Sequence, residues 1–143
     1  MYADDTSLLV SDCDPTFYQN KINAAVREIS NWFNQNSLYL NAGKTKHIPF
    51  LTRQRRALSD VDVVVVSIPL SRQPSACFLG VIFDETLTFH DHCTALIKKL
   101  NTRCYQLRNL RTVLNIDSLV GCYYAFVHSP ISYGIIIWGS STS

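Results

Sequence analysis

Tyr2-Ala3-Asp4-Asp5-Thr6-Ser7-Leu8-Leu9-Val10-Ser11 is the stretch that orients the rest of the chain. Two adjacent carboxylates stand immediately before a short run that reads as a strand, Thr6 to Ser11. Like charges side by side repel, so one of the two carboxyls is pushed toward its neutral form unless a cation sits between them. Mg²⁺ relieves that repulsion, because it takes carboxylate and water oxygens together with the phosphates of a substrate. On its own an Asp-Asp pair is also what a solvated turn looks like. The residues downstream of the pair therefore decide between the two.

Asp14-Pro15 is a strong helix start, with Asp at the cap and Pro at the first helical position. Tyr18, Ile22, Ala25, Val26, Ile29, Trp32 and Phe33 recur at helical spacing and read as one core-facing stripe. Asn34, Asn36 and Ser37 end that helix, and Leu38, Leu40 and Ile48 to Leu51 suggest short extended pieces around a turn at Asn41-Ala42-Gly43. Residues 53–60 are polar and basic and read as a loop. Val61 to Ile68 is β-branched and reads as a strand, with a turn around Pro69 to Pro74. Cys77 to Phe83 reads as a further strand in which Gly80 permits a bulge or close approach. A long helix follows from Asp91, lined by Leu96, Leu100, Cys104, Leu107, Leu110 and Leu114. Asp117 is expected to cap another helix, Pro130 to end it or start a new one, and Ile131 to Trp138 to be a short apolar segment of either type. Strand, helix, several strands, then helices is an α+β order with a helical C-terminal third.

Composition bounds the rest. Of the 143 residues 47% are hydrophobic and 17% charged, which is too apolar and too weakly charged for a disordered tail. The length suits one domain or two small pieces, and excludes a complete polymerase or an α/β barrel. Thirteen Lys and Arg against eleven Asp and Glu leave a formal charge of only +2, but the placement is uneven. Asp4, Asp5, Asp12 and Asp14 open the chain without a base. Lys44, Lys46, Arg53, Arg55 and Arg56 form one basic stretch, and Lys98, Lys99, Arg103, Arg108 and Arg111 a second. A cation site flanked by polyanion-binding surface has this arrangement, and so does a set of solvated faces. Five cysteines with no Cys-x-x-Cys pair indicate neither a disulfide framework nor a zinc site, and fit reduced thiols inside a cell. His90-Asp91-His92-Cys93 lacks a second ligand group at a zinc-finger spacing. Asp4 and Asp5 interrupt any signal-like apolar start, and no run reaches the ~18 apolar residues of a membrane span.

In this context Tyr2-Ala3-Asp4-Asp5-Thr6 resembles the Tyr-x-Asp-Asp box of reverse transcriptases. Downstream, Trp32-Phe33, Asn36-Ser37-Leu38 and Leu40-Asn41-Ala42-Gly43-Lys44-Thr45 are similar to the helix and lysine motif of the non-LTR, LINE-type, jockey-like retrotransposon branch. Phe78-Leu79-Gly80-Val81 with Asp84, Leu87, Thr88 and Phe89 resembles that branch's primer-grip region. Tyr123, Ser129, Tyr133-Gly134 and Trp138-Gly139 resemble its thumb signature.

The resemblance implies a partial polymerase palm over residues 1–90, made of a β-hairpin, a helix and short antiparallel strands, and a helical thumb over 91–143. It implies that Asp4 and, less directly, Asp5 hold catalytic Mg²⁺, that Tyr2 lies beside the primer end, and that Lys44 protonates or neutralises the leaving pyrophosphate. Phe78, Leu79 and Gly80 would hold the primer strand, and Lys98, Lys99 and Arg103 would track the backbone of an RNA/DNA primer–template. In the family the fingers and a further palm aspartate lie upstream of the box, whereas here Met1 alone precedes Tyr2. The expectation is a fragment of an RNA-directed DNA polymerase, inactive alone and needing the missing palm and fingers. The alternative is a non-enzymatic nucleic-acid-binding or inert remnant of a retroelement.

Overall fold

Asp14 does what its place before a proline suggests in the computed structural model: its carboxylate accepts the backbone N–H groups of Thr16 at 2.8 Å and Phe17 at 3.3 Å, and the Thr16 hydroxyl as well. Helix α1 then runs Pro15–Gln35. The structure describes residues 6–51, 63–65, 68–70 and 72–140.

The helix ends as Asn36 and Ser37 imply. Ser37 takes a left-handed conformation (φ 57°), Leu38 N–H donates to Phe33 O at 2.9 Å, and Ser37 N–H donates to Asn34 O at 3.1 Å. That is a Schellman stop with Ser in the place usually held by Gly. Of the apolar stripe, Ile22 and Val26 are buried one turn apart and Trp32 is half exposed.

The chain divides into two compact units, Met1–Gln73 and Pro74–Ser143. In the first, Ile22 and Val26 pack with Val63 and Val65, flanked by Val10, Tyr18, Leu40, Ala42 and Leu70. The β-branched run is not one strand. Strand β1 (Val64–Val65) pairs antiparallel with β2 (Ile68–Pro69), with Val64 opposite Pro69 and Val65 opposite Ile68. Pro69 has no N–H to give a ladder, which confines it to such an end position. Val61 and Asp62, at the start of the run, lie outside the described residues, as does the loop read at 53–60. Thr6 to Ser11 is not a strand either: a strand needs a neighbour to take its backbone hydrogen bonds, and among the described residues none pairs with it. The extended pieces expected around Asn41 reduce to one parallel bridge, His47 to Arg72, closed by Gln73 N–H to His47 O at 3.0 Å.

In the second unit the run Cys77 to Phe83 is also a hairpin rather than one strand. Strand β3 (Ser75–Phe78) and β4 (Val81–Asp84) pair from Ser75 opposite Asp84 to Phe78 opposite Val81. Leu79 and Gly80 form the two-residue turn, with φ of 47° and 83°. Two positive φ values mark a type I′ turn, whose twist matches that of the strands it joins. Gly80 adopts this freely. Leu79 is held there at a cost of roughly 1 kcal/mol.

Helix α2 (His90–Leu110) follows, with Asp91 in its first turn and Arg108 in its last, both matched to the helix dipole. Helix α3 (Ile116–Tyr123) is capped by Asn115, whose side chain accepts Ser118 N–H at 2.9 Å. Asp117, expected as the cap, lies one residue inside the helix. A wide π-helical turn, Tyr124–His128, precedes α4 (Ser129–Ser132). Pro130 explains the wide turn, since its ring clashes with the carbonyl four residues back in a regular helix. Gly134 (φ 65°) starts α5 (Ile135–Trp138), so the apolar segment Ile131 to Trp138 is helical in two short pieces. The architecture is mixed, with small antiparallel hairpins and several helices, in keeping with the α+β order. Among the described residues no helix is long and apolar enough to cross a membrane.

Candidate nucleic-acid interface

The hairpin tip and the C-terminal segment build one another. Tyr133 Oη donates to Leu79 O at 2.6 Å, across 54 residues of sequence. The Tyr133 ring lies over Gly80, where an added Cβ would touch Cε1 at 3.5 Å. One residue on, an added Cβ at Gly134 would press on Val81 Cγ2 at 3.3 Å, so the chain there passes closer to β4 than a side chain comfortably allows. Trp138 Nε1 donates to Tyr133 O at 2.9 Å and fixes the backbone that carries the tyrosine. The Trp138 ring also packs on His92, at 5.4 Å between centroids. His92 is buried, and burial lowers its pKa. Its Nδ1 accepts Ile82 N–H at 3.4 Å, which joins α2 to β4. His92 is thus committed to packing, and among the described residues no three His, Cys, Asp or Glu side chains converge on a possible metal position.

Asp84 fixes the passage from β4 into α2. Its carboxylate accepts Phe89 N–H at 2.6 Å, Thr86 Oγ1 at 2.8 Å, Thr88 Oγ1 at 2.9 Å and Thr88 N–H at 3.0 Å. Partial burial pushes its pKa up, and the hydrogen bonds from Thr88, Thr86 and Phe89 outweigh burial and hold it at about 2. Two residues of this passage, Leu87 and Phe89, have positive φ values of 53° and 55°. A clamp of this kind is what keeps such conformations populated. Phe89 is buried and meets Phe83 edge to face at 5.6 Å, and Phe83 meets Phe78 at 6.4 Å. The aromatic row supports the hairpin while Phe78 and Leu79 stay exposed at its tip.

The basic residues of α2 divide. At 3.6 residues per turn, Lys99 and Arg103 fall one turn apart on the stripe that carries His92, and Lys98 sits about 100° around the helix from Lys99. Arg103 is engaged: its guanidinium lies 5.4 Å from the centre of the Phe126 ring in the π-helical turn, and its Nη1 donates to Gln106 Oε1 at 3.1 Å. Lys98 and Lys99 are exposed. Lys44 stands in the first unit on an exposed turn, its N–H held by Asn41 O and Asn41 Oδ1, both at 3.1 Å. Tyr2, Asp4 and Asp5 lie outside the described residues.

The structure thus brings Phe78, Leu79 and Gly80 together with Tyr133, Gly134 and Trp138, and places Lys99 one turn from Arg103. Sequence reasoning missed two things. The Asp84 clamp was legible in the Asp-x-Thr-x-Thr spacing, since an Asp side chain readily takes local N–H and O–H donors. The Tyr133 to Leu79 bond has no local signal at all.

No protein-family model and no solved structure matches the chain. Curated proteins do. The chain is 28% identical over 142 residues to the RNA-directed DNA polymerase from mobile element jockey of Drosophila funebris, covering 96% of this chain and 15% of that protein. It is 29% identical over 145 aligned positions to the probable RNA-directed DNA polymerase from transposon BS of Drosophila melanogaster, covering 96% and 16%. It is 26% identical over 113 residues to the probable RNA-directed DNA polymerase from transposon X-element of the same fly, covering 77% and 12%. The resemblance to non-LTR, jockey-like retrotransposon polymerases thus extends over most of the chain, which spans between about an eighth and a sixth of those relatives.

Proposed function

We propose that the chain is a section of a non-LTR retrotransposon reverse transcriptase, running from the catalytic box through the primer grip into the thumb. The observation that carries this reading is the similarity of most of the chain to the jockey, X-element and BS RNA-directed DNA polymerases. The 2.6 Å bond from Tyr133 to Leu79 is in keeping with it, since it makes one structural unit of two motifs far apart in sequence. In this reading residues 1–90 close the palm and residues 91–143 form the thumb. The exposed tip, Phe78, Leu79 and Gly80, meets the primer strand. Lys98, Lys99 and Arg103 meet phosphates of the primer–template.

The parent reaction is attack of a primer 3′-hydroxyl on a nucleoside triphosphate. Asp4 and Asp5 supply hard oxygen donors of the kind Mg²⁺ takes. Mg²⁺ bound by these two carboxylates would supply positive charge for phosphoryl transfer. By the resemblance, Tyr2 would meet the primer end and Lys44 would bring a positive charge to the departing pyrophosphate. Because the chain spans so small a share of its relatives, we assign it a role within a longer polymerase and no primer extension of its own.

The purified chain should bind an RNA–DNA primer–template at micromolar concentration, with affinity falling steeply as salt rises. It should not extend the primer when Mg²⁺ and nucleotides are added. Absence of salt-sensitive binding would overturn the interface. Extension abolished by Asp4→Ala would overturn the assignment of inactivity.

A further inference from the structure

We propose that Tyr133 is a positioning residue for the hairpin tip: its hydroxyl sets the orientation of the Leu79–Gly80 peptide and so aims the Gly80 N–H outward, toward the backbone of a bound nucleic acid. This rests on reading Phe78 to Gly80 as a primer-binding tip.

The geometry starts from the peptide itself. In a trans peptide the carbonyl and the N–H lie in one plane and point in opposite directions. The Leu79 carbonyl is taken by Tyr133 Oη at 2.6 Å, so the Gly80 N–H on the far side of that peptide faces away from Tyr133. The direction is not settled by Leu79 and Gly80 alone. Gly80 has φ 83° here, and as a glycine it takes negative φ as readily. In type I′ both turn residues have positive φ, and in type I both have negative φ and the central peptide faces the other side of the turn. Leucine by itself favours type I, because its Cβ crowds the backbone in the left-handed region. Strand twist favours type I′. The two preferences oppose one another, and the tyrosine hydroxyl adds its bond to the type I′ side.

The tyrosine is itself held. Its backbone carbonyl accepts Trp138 Nε1 at 2.9 Å, and Gly134 lets the chain approach Val81 closely. The contact of the ring with Gly80 is made by Cε1 and not by the hydroxyl. Tyr133→Phe therefore removes the hydrogen bond that fixes the peptide and leaves the packing.

The test uses the full 143-residue chain with an RNA–DNA primer–template. NMR scalar couplings report the Leu79 φ, and a salt titration reports affinity. Tyr133→Phe should move the Leu79 φ from positive toward negative values and weaken binding about fivefold, the effect of one lost hydrogen bond. The slope of affinity against salt should not change, since a neutral N–H displaces no counterion. Adding Leu79→Gly removes the penalty on positive φ, and should restore affinity to within about twofold of wild type. A Leu79 φ that stays positive in Tyr133→Phe overturns the proposal. Binding within about twofold of wild type in that variant overturns it too, as does a loss that Leu79→Gly fails to restore. If the wild-type chain binds no duplex, the primer-binding reading fails, and the couplings still decide whether Tyr133 sets the turn.

Discussion

Gly134 passes β4 so closely that a Cβ built on it would stand 3.3 Å from Val81 Cγ2. Val81 is buried and begins the strand after the hairpin turn. The contact therefore joins the C-terminal segment to the base of the tip. Gly134 also has a φ of 65°, where side chains are unwelcome. Gly134→Ala should cost roughly 1–3 kcal/mol through both effects. Urea unfolding followed by tryptophan fluorescence will measure it, because Trp138 lies in the same segment.

Asp84 gives a prediction with a pH signature. Its carboxyl titrates near 3.8 when free and is held at about 2 in the fold. A depressed carboxyl pKa stabilises the fold above the free value, and the contribution disappears as pH falls from about 3.8 through about 2. Asp84→Asn should lower stability at pH 7 by about 2 kcal/mol, the scale of hydrogen bonds to a charged acceptor. The variant should also lose part of the acid sensitivity in that window. Unfolding curves between pH 7 and pH 2.5 for both proteins check the two statements together.

His47 also costs the fold stability on acidification, in a higher pH range and for a different reason. It is buried, and among the described residues neither ring nitrogen has a hydrogen-bond partner. Burial first, and the charge of Arg72 second, lower its pKa from 6.5. A histidine that resists protonation in the fold and accepts it when unfolded costs stability as pH falls below 6.5. Wild type should therefore melt at a lower temperature at pH 5.5 than at pH 7.5. His47→Phe should flatten that difference. It should also be close to neutral at pH 7.5, because an unpaired buried N–H is removed along with the ring nitrogens.

Gly121 lies inside α3 with open space where a Cβ would be. Gly121→Ala should stabilise the chain by about 0.5–1 kcal/mol through helix propensity alone. A rise in melting temperature without change in nucleic-acid affinity is the expected pair of results.

Much of this architecture is readable from local signals. Asp14-Pro15 and the stripe through Ile22 and Val26 specify α1 because cap chemistry and helical periodicity act within a few residues of one another. The hairpins are harder. Val61 to Ile68 and Cys77 to Phe83 read as single strands because apolar and β-branched runs do not reveal where a chain folds back. At Leu79-Gly80 the turn lacks the usual Asn-Gly or Asp-Gly signal, and its I′ geometry is supported from Tyr133, 54 residues away. The cap of α3 shows the same limit at short range. Asn115 and Asp117 are both good caps by residue type, and only the bond from Ser118 N–H decides between them. For the site, the motifs pointed to the tip and to the basic helix but not to the link between tip and C-terminal segment. They also gave no sign that Arg103 is drawn onto Phe126 while Lys99 stays exposed.

Everything proposed for this chain depends on the hairpin tip and the Lys99–Arg103 stripe of α2 meeting a primer–template. Backbone amide shifts of the labelled chain, followed while an RNA–DNA primer–template is added at low salt, probe that contact residue by residue. Shifts should concentrate at Phe78, Leu79, Gly80, Lys99 and Arg103, and should reverse when the salt is raised. Unchanged amides at the tip and along α2 at saturating duplex, or shifts confined to other segments, would rule the interface out.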